Sequence, residues 1–229
     1  MIELEDFFED VIGKTIRGTG MADGVLSFLT NVEPDAIAKL KNGEFDEVAV
    51  RAIAPALGLD ADCLVELANR DWRPESVDLE GLRQSNTVFD PDPDDMMTVN
   101  SYLIWDPQTK EAALFDTGAD ASPALDMVKN LGVDLKTLFI THSHIDHIID
   151  REKVIEAHPE IRVLVNAKEP IAGAERFAAG ETFSIGALRV TTRLTWGHSP
   201  AGTTYVINGL SRPVAIVGDA LFAQSMGGG

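Results

Sequence analysis

Three of the chain's five histidines fall within six residues, in the run His142-Ser143-His144-Ile145-Asp146-His147. Imidazole nitrogens and carboxylate oxygens are the ordinary ligands of zinc, iron and manganese. A divalent ion held by such groups lowers the pKa of its bound water toward about 7 and so makes hydroxide available at neutral pH. The spacing suits this chemistry. His142 and His144 are two residues apart, so in extended chain both rings face the same way. Asp146 and His147 then open the following turn and reach a second position beside the first. Of the other two, His158 lies in Glu156-Ala157-His158-Pro159-Glu160, at the end of a predicted helix, and reads as a surface residue.

Elements that would position this run are legible around it. Residues 138–141 form a short apolar strand, so the histidines sit at a strand's C-terminal end. Residues 101–105 and 112–115 read as a strand pair joined by the turn-rich Asp106-Pro107-Gln108-Thr109-Lys110. Helices are predicted over 122–131, ended by Gly132, and over 151–157 and 169–179. Further strands are predicted over 162–166, 188–194, 203–207 and 214–217. Such alternation argues for helices layered on a sheet. Upstream, residues 1–70 read as a small bundle of short helices over 4–15, 23–29, 34–43, 45–57 and 61–69, with Pro34 in a first turn and Asp60 as a cap. Residues 71–97 carry Pro74, Pro91, Pro93 and the acidic run Asp90, Asp92, Asp94, Asp95, and read as a surface linker with one short strand near 87–89.

Composition narrows the function classes. With 229 residues and 45% hydrophobic content the chain can bury a sizeable core. Its net charge of −18, from 37 acidic and 19 basic side chains, repels phosphate backbones and anionic bilayers, so neither a nucleic-acid nor a membrane partner is expected. No apolar run approaches the roughly 20 residues of a membrane helix. The acidic start Met1-Ile2-Glu3-Leu4-Glu5-Asp6 is unlike a secretory signal, and the single Cys63 allows no internal disulfide. A cytoplasmic location follows as an expectation.

The His-x-His-x-Asp-His run resembles that of the metallo-β-lactamase superfamily, which includes glyoxalase II-like hydrolases. Other segments are similar in the same order: Thr98-Val99-Asn100-Ser101-Tyr102-Leu103-Ile104 as an early strand, Ala113-Leu114-Phe115-Asp116-Thr117-Gly118 as the next strand and its Asp-x-Gly turn, Thr195-Trp196-Gly197-His198-Ser199-Pro200-Ala201-Gly202 as a histidine-bearing loop, and Val217-Gly218-Asp219-Ala220-Leu221-Phe222 as a strand delivering an aspartate. The resemblance spans about residues 85–229. It implies an α/β, αββα sandwich over residues 98–229, incomplete at its C-terminal side, preceded by the all-α region 1–70 and the linker 71–97. It also implies that His142, His144 and His198 hold a first metal, that Asp146 and His147 belong to a second, and that Asp219 bridges them. Asp116 would orient ligands from behind or cap a tight turn. Asp146 and Asp219 would orient the nucleophile or relay a proton. Ser143 should point away from the metals.

The implied activity is hydrolysis of an ester, thioester, lactone or lactam small molecule with one or two Zn2+, Fe2+ or Mn2+ being the alternative ions. A second reading is a mononuclear iron enzyme like the persulfide dioxygenases, with His142, His198 and Asp219 as its facial ligand set. A third is a non-catalytic metal-sensing regulator, since residues 22–68 resemble Cro/C1-type helix-turn-helix regions. Against DNA reading, residues 1–80 hold 18 acidic and 7 basic side chains, and Glu33 and Asp35 open the supposed reading helix. Dimerisation or docking fits that region better, and a homo-oligomer is allowed. The family pattern normally adds a further strand, helices and a last histidine after the Asp219 strand. Here the chain ends at Ser225-Met226-Gly227-Gly228-Gly229, so either it is a shortened form, which the terminal glycines fit, or the second metal site is weak or absent.

Overall fold

The computed structural model describes residues 4, 6–90, 97–169 and 171–228. The chain divides into two compact units: Met1–Ser76 with Leu221–Gly229, and Val77–Ala220.

The first unit is built on α1 (Phe8–Thr19), α2 (Asp23–Thr30), α3 (Pro34–Lys41), α4 (Glu47–Ile53) and α5 (Ala61–Asn69). Apolar residues at helical spacing bury Ile12, Leu26, Ile37, Leu40, Val50, Ile53 and Leu64 in one core. The Asp46 and Asp60 side chains cap α4 and α5 by accepting from the backbone N–H of Ala49 and Cys63, satisfying donors that a first helical turn leaves unpaired. α1 lies four residues later than predicted, where Asp10 accepts from the Phe7 N–H at 2.9 Å. The predicted helix over 45–57 breaks at Ala54, and Pro55–Leu57 forms a separate 3-10 turn. Proline lacks the N–H that would continue an α-helix.

The second unit contains β1 (Leu82–Phe89), β2 (Met97–Trp105), β3 (Glu111–Phe115), α6 (Ser122–Leu131), β4 (Asp134–Phe139), α7 (Ile145–Ile148), α8 (Arg151–Ala157), β5 (Arg162–Asn166), β6 (Glu175–Phe177), β7 (Thr182–Ile185), β8 (Leu188–Leu194), β9 (Thr203–Asn208) and β10 (Val214–Ile216). One sheet has the order β1-β2-β3-β4-β5-β6, antiparallel up to β3 and parallel from β3 to β6. The other is antiparallel, β10-β9-β8-β7. Alternate residues of β3 and β4 face opposite ways. Leu114 and Leu138 meet the helix side with Val128 and Val154, whereas Phe115 and Phe139 meet Tyr205, Val190 and Ile207 between the sheets. Phe115 and Phe139 stack at 5.0 Å, and Tyr205 packs edge-on against Phe115 at 5.3 Å. Aromatic pairs of this kind add roughly 0.5–1.5 kcal/mol each beyond area burial.

Three expectations need correction. Residues 169–179 are not helical: they turn at Gly173 (φ 76°) and place β6 parallel to β5. The supposed linker carries β1, which pairs with β2 residue by residue from Leu82↔Ile104 to Phe89↔Met97. The short strand expected near 87–89 is its C-terminal end; the polar sequence hides the rest, because its inward-facing Ser85 and Thr87 are satisfied by partners, Ser85 by the Ser101 hydroxyl at 2.7 Å. Prolines 91 and 93 and Asp92, Asp94 and Asp95 lie outside the described residues. Finally, residues 221–229 group with the helices rather than with the sandwich. There β11 (Leu221–Phe222) and β12 (Ser225–Met226) form a hairpin whose Ser225 hydroxyl bonds Asp6, and Lys14 pairs with Asp6 and lies 4.5 Å from the Phe222 ring centroid. Among the described residues no helix is long and apolar enough to cross a membrane.

Candidate metal centre

β4 is a central strand of the larger sheet, and its chain continues through Ile140 and Thr141 into the histidine run. That exit is held from three sides. The Tyr205 hydroxyl donates to the Ile140 carbonyl at 2.6 Å, and the Thr203 N–H donates to the Thr141 carbonyl at 2.9 Å. Asp116, just past β3 in a left-handed conformation (φ 57°), accepts from the Thr141 N–H and hydroxyl, each at 2.7 Å. Gly218 completes the frame. A Cβ there would lie 2.6 Å from Thr141 Oγ1, and its φ is +52°, so only glycine lets the β10 exit approach this closely and present Asp219.

The hydrogen bonds assign the tautomers. Thr141 Oγ1 gives its one proton to Asp116 Oδ2, so its contact with His142 Nδ1 at 3.0 Å requires the imidazole to donate. His142 therefore carries its proton on Nδ1 and a lone pair on Nε2. That Nε2 is buried with no hydrogen-bond partner among the described residues. Burial, reinforced by the neighbouring His147, pushes the His142 pKa down to about 4, which keeps the lone pair available. An orphaned, unprotonated imidazole nitrogen in such a place fits a cation.

The predicted residues converge around that nitrogen. His144 Nδ1 and His198 Nε2 lie 2.8 Å apart, and the His142 ring centroid is 4.5 Å from that of His144 and 5.0 Å from that of His198. On the other side His147 Nε2 lies 3.1 Å from Asp219 Oδ1 and 3.3 Å from Asp146 Oδ2. Among the described residues two donor sets result, His142–His144–His198 and His142–His147–Asp219, each with its ligand atoms within 4.8 Å of one another. Burial opposes charging His147, yet the Asp116, Asp146 and Asp219 carboxylates outweigh it and hold its pKa well above the usual value. Burial likewise pushes the Asp146 and Asp219 carboxyls up, but His147 more than offsets it, so both lie below the usual range.

A family model described as "Metallo-beta-lactamase superfamily" matches residues 95–227. The chain belongs to the metallo-beta-lactamase superfamily. Curated relatives include the mitochondrial persulfide dioxygenase ETHE1 of Homo sapiens, 28% identical over 128 residues (56% of this chain, 50% of the relative), and the hydroxyacylglutathione hydrolase of Gloeobacter violaceus, 30% identical over 129 residues (55% and 50%). The chain spans about half the length of these relatives. A solved structure, BLEG-1 B3 metallo-beta-lactamase, is 25% identical with a TM-score of 0.51, covering 62% of this chain and 76% of that one.

In this superfamily domain two supporting residues stand out. Asp116, expected either to orient ligands or to cap a turn, touches the histidine run directly: its Oδ2 lies 2.8 Å from His147 Nδ1. Glu169 was hidden inside the predicted helix 169–179. It is almost fully buried and accepts from Ser143 and from the Ser199–Ala201 segment. Burial pushes its carboxyl up, but the Ser143 and Ser199 hydroxyls and the Ala201 and Ser143 N–H groups more than compensate and lower its pKa. A signal existed, since Glu169 follows the C-terminal end of β5, on the same edge as the histidine run. Ser143 is thereby engaged by Glu169 and not placed as a nucleophile. His158 is at the C-terminal end of α8 and belongs to neither donor set.

Proposed function

We propose that this chain is a metal-dependent hydrolase of small esters, thioesters, lactones or lactams, using one or two zinc ions and acting in the cytoplasm. The observation that carries the reading is the buried, unpartnered Nε2 of His142, shared by two donor sets. His142, His144 and His198 would hold one ion, and His147, Asp146 and Asp219 would hold another, with Asp219 reaching both. When bound, such ions activate water and polarise the substrate carbonyl. The protein's own groups do the rest. Asp116 and Thr141 hold His142 and His147 with their Nε2 atoms toward the centre. Asp219, 3.4 Å from His198 Nε2 and 3.1 Å from His147 Nε2, orients the attacking water and takes up its proton, with Asp146 beside it. The hydrolase relative at 30% identity supports the same reaction class.

A second reading rests on the subset His142, His198 and Asp219, two imidazoles and one carboxylate, which suits a single Fe2+ in an enzyme acting on persulfides. The persulfide dioxygenase relative at 28% identity supports it. For the helical unit we propose a docking or self-association role rather than DNA binding, as its acidic charge favours.

Elemental analysis of protein purified without added metal separates these readings, followed by thioester and lactone hydrolysis assays and by oxygen uptake with a persulfide. Zinc with hydrolysis supports the first reading. One iron with oxygen uptake moves the assignment to the second. A chain that binds neither ion and turns over neither substrate class sinks both.

A further inference from the structure

Glu169 connects two segments that approach the centre from different parts of the chain. Its Oε2 accepts from the Ser143 N–H at 3.1 Å and the Ser143 hydroxyl at 2.6 Å. Its Oε1 accepts from the Ser199 hydroxyl at 3.1 Å and the Ala201 N–H at 2.9 Å. Ser143 lies between His142 and His144, and Ser199 directly follows His198. One carboxylate thus spans the histidine run after β4 and the histidine loop between β8 and β9. Its own position is set by a turn after β5, where the Glu169 N–H donates to the Asn166 carbonyl at 2.9 Å.

We propose that Glu169 is a positioning residue that fixes the separation of the two histidine-bearing segments, and through it the geometry of the His142–His144–His198 donor set. The inference rests on the metal-site reading above. Its physical basis is that a carboxylate at this depth is strongly destabilising unless its lone pairs are satisfied. The four donors, two of them backbone N–H groups, are therefore held where it needs them. A glutamine amide placed either way round turns its NH2 toward the Ser143 N–H or the Ala201 N–H, and one segment is released.

The test uses the full chain and zinc alone. Zinc affinity is measured by competition with a chromophoric chelator for the wild type, Glu169→Gln and Asp106→Asn. Asp106 is a buried carboxylate that also accepts two backbone N–H groups, from Gln108 and Ala187, but it takes no part in either donor set. The expected result is a zinc affinity 10–100-fold weaker in Glu169→Gln, as for other groups that orient ligands from behind, and changed less than about two-fold in Asp106→Asn by the additivity of distant sites. Wild-type affinity in Glu169→Gln overturns the proposal, and so does an equal loss in both variants, which would mark a general effect of destabilisation. Hydrogen exchange of the Ser143 and Ala201 amides in metal-free protein is the second readout. Both should lose protection in Glu169→Gln, and unchanged protection overturns the tie even if the wild type binds no zinc, the result that would sink the metal reading itself. If Glu169→Gln fails to fold, Ser143→Ala and Ser199→Ala each remove one donor and should each weaken zinc binding; wild-type affinity in both overturns the proposal.

Discussion

Asp116 Oδ2 and His147 Nδ1 lie 2.8 Å apart across 31 residues of sequence, and the same oxygen receives the Thr141 hydroxyl. One buried carboxylate thereby sets the proton positions of two imidazoles, His147 directly and His142 through Thr141. Asp116→Asn keeps the shape but puts an NH2 either against the Thr141 N–H, at the Oδ1 position, or against both the Thr141 hydroxyl and His147 Nδ1, at the Oδ2 position. The first releases Thr141 and with it His142; the second removes the acceptor that keeps the His147 proton on Nδ1. Metal affinity should fall about 10–100-fold, measured by zinc competition. Unaltered affinity would show that Asp116 only caps its turn.

Asp219 is the carboxylate nearest both sides of the centre. Asp219→Ala should lose bound metal and hydrolytic activity together, read by elemental analysis and rate on the same preparation. Full metal content in that variant would sink the bridging role.

His158 provides the contrast. It belongs to neither donor set, so His158→Ala should retain the wild-type metal stoichiometry and, at its half-buried helix end, cost no more than about 1 kcal/mol. A lost equivalent of metal would reopen its assignment.

Gly218 is required by conformation and by space, with φ +52° and a would-be Cβ 2.6 Å from Thr141 Oγ1. Gly218→Ala should cost about 1–3 kcal/mol and weaken zinc binding, because Thr141 must shift. Urea denaturation and a zinc titration measure the two effects, and a variant matching the wild type in both would refute the packing argument.

Asp106 gives a pH dependence away from the proposed metal ligands. The Ala187 and Gln108 N–H groups hold its carboxyl below the usual value of 3.8. A carboxyl lowered in the folded state contributes stability that is present above its unfolded pKa and lost as pH falls through the folded one. Asp106→Asn should therefore cost about 2 kcal/mol at pH 7, shrinking as the wild type is acidified below about pH 4. Urea titrations at both pH values test the sign; a difference that widened in acid would contradict it.

Much of this centre is legible in one dimension because ligand chemistry is local. His142, His144, Asp146 and His147 stand within six residues, and a strand followed by a turn brings them together without long-range information. His198 and Asp219 are readable as well, each within a short motif in the expected order. The alternation of strands and helices marks the layered α/β unit for the same reason, since apolar periodicity expresses burial directly.

Tertiary structure alone decided the remainder. β1 has the polar sequence Leu82-Arg83-Gln84-Ser85-Asn86-Thr87-Val88-Phe89, and only pairing with β2 supplies its partners. Residues 169–179 have helical composition, yet β5 recruits β6 as a neighbouring strand, and tertiary pairing outweighs a propensity of a few tenths of a kcal/mol per residue. Glu169 follows the C-terminal end of β5 in sequence, but only the fold brings the Ser143 and Ala201 amides to it, from 26 and 32 residues away. Ligand identity is a property of residue type and spacing. The orientation of those ligands depends on buried polar partners, and which partners meet is known only once the chain has closed on itself.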